Sequence, residues 1–350
     1  LIQSVFFIFV GSNQPNMYIK QLGITILACL VLIACQQKKI EPISVAGMTQ
    51  GTYYAITYYD QEGRNFQTAI DSLLEAVDVS LSLWNDQSVL SRVNQGDTTV
   101  GLDPIFLSTF LISKEMSALT DGYFDFTIAP LVNAWGFHRQ KKMELTQRQI
   151  DSIQDLVDYH KVRIERGKVV KDDPRMSFDF NAIAPGYTVD LMSQMFDSLN
   201  LQHFIIDIGG EITARNAKPD GEPWLVAIER PSHTKDEERS IDVVLELVNR
   251  SVATSGSYRN YFEKDGKRYS HAIDPKTGYP VEHNLLSVTV VADNAATADA
   301  LATAFLVMGF EKAKKLLEDL PDVDAYFIFW KEDGSYEEIF TPDMYKLIKQ

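Results

Sequence analysis

Cysteine is almost missing from this chain: among 350 residues there are only Cys29 and Cys35, both inside the apolar N-terminal stretch. The body that follows can therefore hold no disulfide, no thiolate nucleophile and no zinc site built on sulfur. Positive charge is also scarce, with 33 Lys and Arg against 48 Asp and Glu and a net charge of −15. That balance argues against a nucleic-acid partner, because phosphate backbones reward basic patches. It leaves anionic small ligands open, since one bound metal ion reverses the sign of a site. After Ile43 no Gly/Ser/Pro-rich linker and no internal repeat interrupts the sequence. Gly209-Gly210 follows a strand pattern but lacks the G-x-G-x-x-G spacing of a dinucleotide fold, so a Rossmann reading fails.

What is present is ordinary globular material, 45% hydrophobic and 23% charged. The length suits one large domain or two small ones with a packed core. At the N-terminus, Met17-Tyr-Ile-Lys-Gln21 supplies a start residue and one positive charge, followed by the apolar run Leu22 to Ala34 and then Cys35. The run is shorter than the roughly 20 residues that span a bilayer. A short basic region, a short apolar region and small residues at a cleavage point make a secretory signal. With Cys35 directly after Ala34, the pattern resembles the lipobox of bacterial lipoproteins, in which the thiol is acylated. That resemblance implies an exported protein, lipid-anchored at Cys35 and facing the periplasm. Gln36 after the cysteine is similar to lipoproteins sorted to an outer membrane. The sequence thus divides into 1–16, read as upstream translated sequence, a signal peptide over 17–35, a polar tether over 36–45 and a domain over 46–345.

Within the domain, strands are predicted over Met48–Tyr59, Val162–Val170, Met176–Phe180, Phe204–Ile208, Trp224–Ile228, Ile241–Val248, Ser251–Tyr258, Arg268–Ile273, Leu286–Ala292 and, as the last, Ala325–Trp330. Helices are predicted over Asn65–Ser82, Pro104–Leu119, Thr146–Asp155, Gly186–Leu199, Ala295–Val307 and Glu311–Leu320. The mixed order, without strict βαβ alternation, predicts an α+β fold with a largely antiparallel sheet and packed helices.

Four stretches combine tight turns with polar residues. In Asp121-Gly-Tyr-Phe-Asp-Phe-Thr-Ile-Ala-Pro130, aromatic residues crowd round Asp125, which suits either a flat ring ligand or a capped loop on the core. In Asp179-Phe-Asn-Ala-Ile-Ala-Pro-Gly-Tyr-Thr-Val-Asp190, a strand turns through Pro185-Gly186 into a helix whose start could face a ligand. Thr254-Ser-Gly-Ser-Tyr258 and His271-Ala-Ile-Asp-Pro-Lys-Thr-Gly-Tyr-Pro280 bring one histidine and one carboxylate, Asp274, to two turns. His271 could serve there as acid or base. Asp299 and Thr303, four apart on one helix face, offer hard oxygen ligands suited to Mg²⁺. The plainer reading is a solvated Asp299 and a Thr303 bonded back to its own helix.

In this order the stretches resemble the ApbE family of bacterial FAD:protein FMN transferases. The resemblance runs from about Ala46 to Phe340. It rests on Leu83-Trp-Asn-Asp-Gln-Ser-Val-Leu-Ser-Arg-Val-Asn94, Phe124-Asp-Phe-Thr127, Pro130-Leu-Val-Asn133, Trp135-Gly-Phe137 and Ile208-Gly-Gly-Glu211. Its most specific pieces are Ala253-Thr-Ser-Gly-Ser-Tyr258, His271 to Pro280, and Asp299-Ala-Leu-Ala-Thr303. It implies that FAD is split between its phosphates with Mg²⁺, that AMP leaves, and that FMN is esterified to a Thr or Ser hydroxyl of a partner. The implied partners are subunits of membrane redox pumps, such as sodium-translocating NADH:quinone reductase and related electron-transport complexes. The implied metal ligands are the Ala182 carbonyl, Asp299 and Thr303; the implied FAD contacts are Trp84, Tyr123, Phe124, Asp125, Asp179, Pro185 and Ile273. His271 matches the histidine associated with catalysis. Against the commoner family pattern, Gln50 replaces methionine, Pro185 replaces lysine or glutamate, Ser257 replaces aspartate and Trp84 replaces tyrosine. Alternatives from the same residues are an FAD pyrophosphatase giving FMN and AMP, a non-catalytic flavin-binding lipoprotein, and a generic solute-binding lipoprotein.

Overall fold

The computed structural model describes residues 40–137, 145–231, 240–257, 261–264, 267–331 and 333–349. The residues from Pro42 onward form one compact unit. Cys35 and the stretch 17–35 read as a signal peptide lie outside the described residues. No helix among those described is long and apolar enough to cross a membrane.

Among the described residues there are fourteen strands. They are β1 (Pro42–Thr49), β2 (Thr52–Tyr59), β3 (Val162–Glu165), β4 (Lys168–Lys171), β5 (His203–Ile208), β6 (Glu211–Arg215) and β7 (Trp224–Glu229). The rest are β8 (Ile241–Leu247), β9 (Arg250–Gly256), β10 (Tyr261–Lys264), β11 (Lys267–Ser270), β12 (Leu285–Ala292), β13 (Asp324–Trp330) and β14 (Tyr336–Phe340). Eight of them form one sheet in the order β1-β2-β5-β6-β9-β12-β13-β14, antiparallel at each junction. The other six pair as three separate hairpins. The α+β expectation therefore holds, with an antiparallel sheet.

Among the described residues the helical layer is shaped by α1 (Gln67–Leu81), α2 (Val89–Asn94), α3 (Pro104–Leu119), α4 (Ala129–Trp135), α5 (Gln147–Gln154), α6 (Ala184–Ser198) and α7 (Ala295–Met308). They are followed by α8 (Phe310–Leu317) and α9 (Pro342–Lys346). Along β12, Val288 and Val290 join the core under α7, while Val291 joins the core under the β7–β8 hairpin. The sheet is thus covered on both faces here, which explains why the sequence reads as a nearly continuous apolar run.

Several details differ from the sequence reading. Met48–Tyr59 is not one strand: Gln50 and Gly51 both have positive φ and make the two-residue loop between β1 and β2. Arg166 and Gly167 do the same between β3 and β4, splitting Val162–Val170. Met176–Phe180 is not a strand and has only an isolated bridge, Ile128 with Ser177. There the Asn94 side chain takes the place of a neighbouring strand, accepting from the Phe178 N–H at 2.7 Å and donating to its C=O at 2.9 Å. Finally, β13 is followed by β14, and β6 was not read at all. β1 begins at Pro42, inside the stretch read as tether.

Candidate active site

The best-defined part of the site is built where α6 starts against α7. The first N–H groups of a helix have no partner within it. At α6 the Gly186 N–H is directed out of the helix and donates to Asp299 Oδ2 at 3.1 Å. Only glycine allows this approach: a Cβ on residue 186 would stand 2.4 Å from the Ala295 carbonyl oxygen and 2.9 Å from the Asp299 Cβ. Asp299 is 5% exposed, so it is not the solvated carboxylate of the plainer reading. Burial pushes its carboxyl well above the ordinary carboxylate range, the Gly186 N–H pulls it back, and the nearby Asp190 charge adds to the rise.

One turn along α7, Thr303 Oγ1 lies 2.8 Å from Ser255 Oγ on β9. Its hydroxyl thus faces across to the sheet. Ala182, the third implied ligand, sits in the turn that leads into α6, which begins with Ala184 and Pro185. The first helical turn needs no N–H from Pro185, so its presence costs the helix nothing. Asp190, two turns into the same helix, caps α7 by accepting from Ala295 N at 2.8 Å and Ala296 N at 2.9 Å.

A second group lies upstream of this turn. Asp179, 8% exposed, accepts from Asn181 N at 2.8 Å, and its own N–H donates to the Phe126 carbonyl at 2.8 Å. That bond ties the Phe124–Thr127 loop to the approach of α6. Asp125 is buried and accepts from Thr127 N, Thr127 Oγ1 and Tyr159 N at 2.8, 2.7 and 3.0 Å. Burial pushes its carboxyl up, with the Thr127 and Tyr159 bonds opposing. It is the capped-loop arrangement: Asp125 shapes the loop. Phe124 is 3% exposed and belongs to the main core. Tyr123 is different, half-buried with Lys276 Nζ 4.4 Å and Lys312 Nζ 4.6 Å from its ring centre.

The third group is the His271–Pro280 loop. Asp274 organises it as a turn, its carbonyl accepting from Gly278 N at 2.8 Å and its carboxylate from Lys276 N at 2.8 Å. Gly278 has φ +76, and its carbonyl accepts from Trp135 Nε1 at 2.8 Å. Ile273 is buried with Leu131, Trp135 and Ile150, so α4 and α5 anchor the loop. His271 is half-buried, 6.4 Å from the Phe137 ring. The loop reaches the second group through Lys276, which also pairs with Asp121. Trp84 stands in the loop before α2 with 58% of its surface exposed, and an indole is a flat ring of the kind on which another ring can stack.

Sequence reasoning missed several members. Ser255 was quoted in a motif but not singled out. Asp190 could have been found from its i, i+4 spacing to Gly186. Nothing local marks Asn94 as the partner of Phe178, or Lys312 as a neighbour of Tyr123. Ser257 donates to the Leu285 and Leu286 carbonyls, both at 3.2 Å, so serine in place of aspartate serves the loop here. Among the described residues no three His, Cys, Asp or Glu side chains gather as a metal cluster. One carboxylate with a hydroxyl and a carbonyl is nevertheless a donor set that fits Mg²⁺, which takes few protein ligands and completes its shell with phosphate oxygens and water.

The family model described as the ApbE family matches residues 50–327. The FAD:protein FMN transferase of Vibrio cholerae is 38% identical over 322 residues, covering 89% of this chain and 94% of that protein. Its counterpart in Haemophilus influenzae is 35% identical over 326 residues, with 89% and 93% covered. Among solved structures, flavin transferase ApbE from Vibrio cholerae superposes with a TM-score of 0.78 at 33% identity, covering 88% of this chain and 100% of that one. The apo flavinyl transferase ApbE of Pseudomonas stutzeri gives a TM-score of 0.79 at 31% identity, with 89% and 98% covered. The family model covers most of the chain, and relatives above 30% identity align with nearly their whole length, so the chain belongs to the ApbE family.

Proposed function

We propose that this chain is an FAD:protein FMN transferase that uses Mg²⁺, releases AMP and esterifies FMN to a threonine or serine hydroxyl of another protein. The observation that carries the reading is Asp299, a buried carboxylate on α7 that accepts from Gly186 in the first turn of α6, with the Thr303 hydroxyl one turn further along α7. A buried carboxylate without a cation is unfavourable, and the Ala182 carbonyl, Asp299 and Thr303 would hold the ion together. Bound there, Mg²⁺ supplies charge neutralisation to a pyrophosphate.

The rest falls to the protein's own groups. The exposed face of Trp84 offers a stacking surface for a planar ring. Lys276 and Lys312, flanking Tyr123, bring positive charge to a chain that is acidic overall. A His271 ring nitrogen accepts the proton of the attacking hydroxyl. The hydroxyl oxygen bonds to the FMN phosphorus, the bond from that phosphorus to the bridging oxygen breaks, and AMP departs with that oxygen. Acylation at Cys35 would keep this chemistry beside membrane-embedded acceptors on the side away from the cytoplasm.

The test is incubation of residues 36–350 with FAD, Mg²⁺ and a candidate acceptor domain, followed by flavin fluorescence on a denaturing gel. A fluorescent acceptor band and AMP are expected, both lost on chelation and in His271→Ala. AMP without a labelled acceptor would make the chain a hydrolase. Bound FAD with neither product would make it a flavin carrier.

A further inference from the structure

The two ends of the main sheet are built differently. β14 is a five-residue edge bearing Glu337 and Glu338 and followed by Pro342. Charges, proline and shortness are the usual guards against another chain pairing with an edge. β1, at the opposite end, is eight residues long and keeps an unbroken register with β2 from Pro42–Tyr59 to Thr49–Thr52. From Ile43 to Thr49 it has no charged residue and no proline. Among the described residues no strand pairs with its outer side.

The register states which backbone groups are open. Thr49 and Thr52 flank a two-residue loop and so form a hydrogen-bonded pair, and such pairs alternate along the ladder. Gly47, Val45 and Ile43 therefore point their N–H and C=O groups at β2. Ser44, Ala46 and Met48 turn theirs outward. The neighbouring strand confirms the phase, because the carbonyl of Tyr53, opposite Met48, accepts from Gly209 N on the far side at 3.0 Å. Met48 is 77% exposed and its cross-strand neighbour Tyr53 44% exposed.

This edge leads to the candidate active site. Gln50, in the loop that ends β1, donates to Thr188 Oγ1 at 2.9 Å, and Thr188 donates to the Ala184 carbonyl at 2.7 Å. Two residues beyond Ala184, Gly186 meets Asp299. A strand laid along β1 runs toward the start of α6.

We infer that the outer edge of β1 is the docking strand for the protein substrate, which adds an extended segment bearing the accepting hydroxyl. The inference rests on the transferase reading, which requires a protein hydroxyl to reach this site. Pairing through backbone groups gives affinity without demanding a fixed sequence, with side-chain pockets setting preference. The outward groups of Ser44, Ala46 and Met48 would carry that pairing, and exposed Met48 would touch the incoming side chains.

The experiment uses a folded acceptor domain and a synthetic peptide of its extended segment around the accepting threonine. Amide exchange on the full chain should show Ser44, Ala46 and Met48 exchanging freely alone and protected when the peptide is added. Ala46→Pro removes one outward N–H and leaves the β2 ladder intact, since proline is tolerated where an edge N–H faces solvent. It should raise the KM for the acceptor roughly fivefold to tenfold, the effect of a lost backbone hydrogen bond. The kcat at saturating acceptor and the affinity for FAD should stay unchanged, and Ala46→Ser should behave as the parent. Peptide-induced protection elsewhere, or an unchanged KM in a folded Ala46→Pro variant, overturns the inference. So does protection of the three amides before any peptide is added, which would place this chain's own segment or a second copy on the edge. If the parent chain labels no acceptor, the transferase reading fails, and the exchange measurement still decides whether the edge binds peptide.

Discussion

The backbone N–H of Gly186 donates to the carboxylate of Asp299 across 3.1 Å, and the glycine leaves no room there for a side chain. Two helices, α6 and α7, are thereby locked together at Asp299. Gly186→Ala would push a methyl group into the Ala295 carbonyl, which is backbone and cannot swing away. A loss of about 1–3 kcal/mol in stability is expected, with a larger loss of Mg²⁺-dependent activity. Chemical denaturation and transfer assays on one preparation test both; an alanine variant with parent stability and activity would show that the contact is not tight.

Asp299→Asn separates charge from shape. An amide oxygen can still accept from Gly186, but the anion is gone. Transfer should fall on the order of a hundredfold or more. Without metal the variant should melt at the same temperature as the parent or higher at pH 8, because an ionised buried carboxylate opposes folding. Mg²⁺ should raise the melting temperature of the parent and not of the variant. A variant that Mg²⁺ still stabilises would place the ion elsewhere.

Asp190 gives a pH dependence whose sign is fixed. Burial pushes its carboxyl up to about 6, with the Ala295 and Ala296 amides pulling the other way. The native state therefore holds this proton more tightly than the unfolded chain does. Stability from this group is full below a pH of about 4 and is lost as pH rises through about 6. Asp190→Asn should flatten the slope of stability against pH in that window. Denaturant midpoints at half-unit pH steps would reveal an unchanged slope if another group were responsible.

Asn94 holds Phe178 by two bonds that stand in for a strand partner. Asn94→Ala strands a buried N–H and a buried C=O and should cost about 2 kcal/mol. Asp179 and Ala182 follow directly in the chain, so the KM for FAD should rise more than kcat falls. Asn94→Asp keeps the acceptor and loses the donor, and should fall between. A variant that loses stability while its KM for FAD is unchanged would uncouple the segment from ligand binding.

How much of this was legible beforehand depends on the range of the interaction. α7 was read nearly to its ends, because a long apolar run bounded by Asn294 and Gly309 carries its own punctuation. The motif order identified Asp299, Thr303 and His271 as candidates. The two hairpin loops were overlooked since Gln50 and Arg166, residues with side chains, share the left-handed turns with Gly51 and Gly167. The false strand at Met176–Phe180 has real strand alternation, with Met176, Phe178 and Phe180 each at most 1% exposed. Its partner is a side chain 84 residues away, and no local pattern encodes that. Asp125 was ambiguous for a related reason: the same aromatic surroundings suit a ring ligand or a core, and only the Tyr159 amide identifies its work in the fold.

α7 has a consequence for how such a protein can change over time. Twelve of its fourteen residues are buried, so the helix that carries Asp299 and Thr303 has almost no surface on which neutral substitutions could accumulate. Six of those fourteen are alanine, which leaves few smaller replacements and little room for larger ones. The end of the site that carries Asp299 and Thr303 is thus held constant by the same packing that holds the domain together. Diversification toward new acceptors would have to come from the periphery: the loop around Trp84, the Lys276 and Lys312 side chains, and the outer edge of β1. The fold separates a part that cannot drift from parts that can.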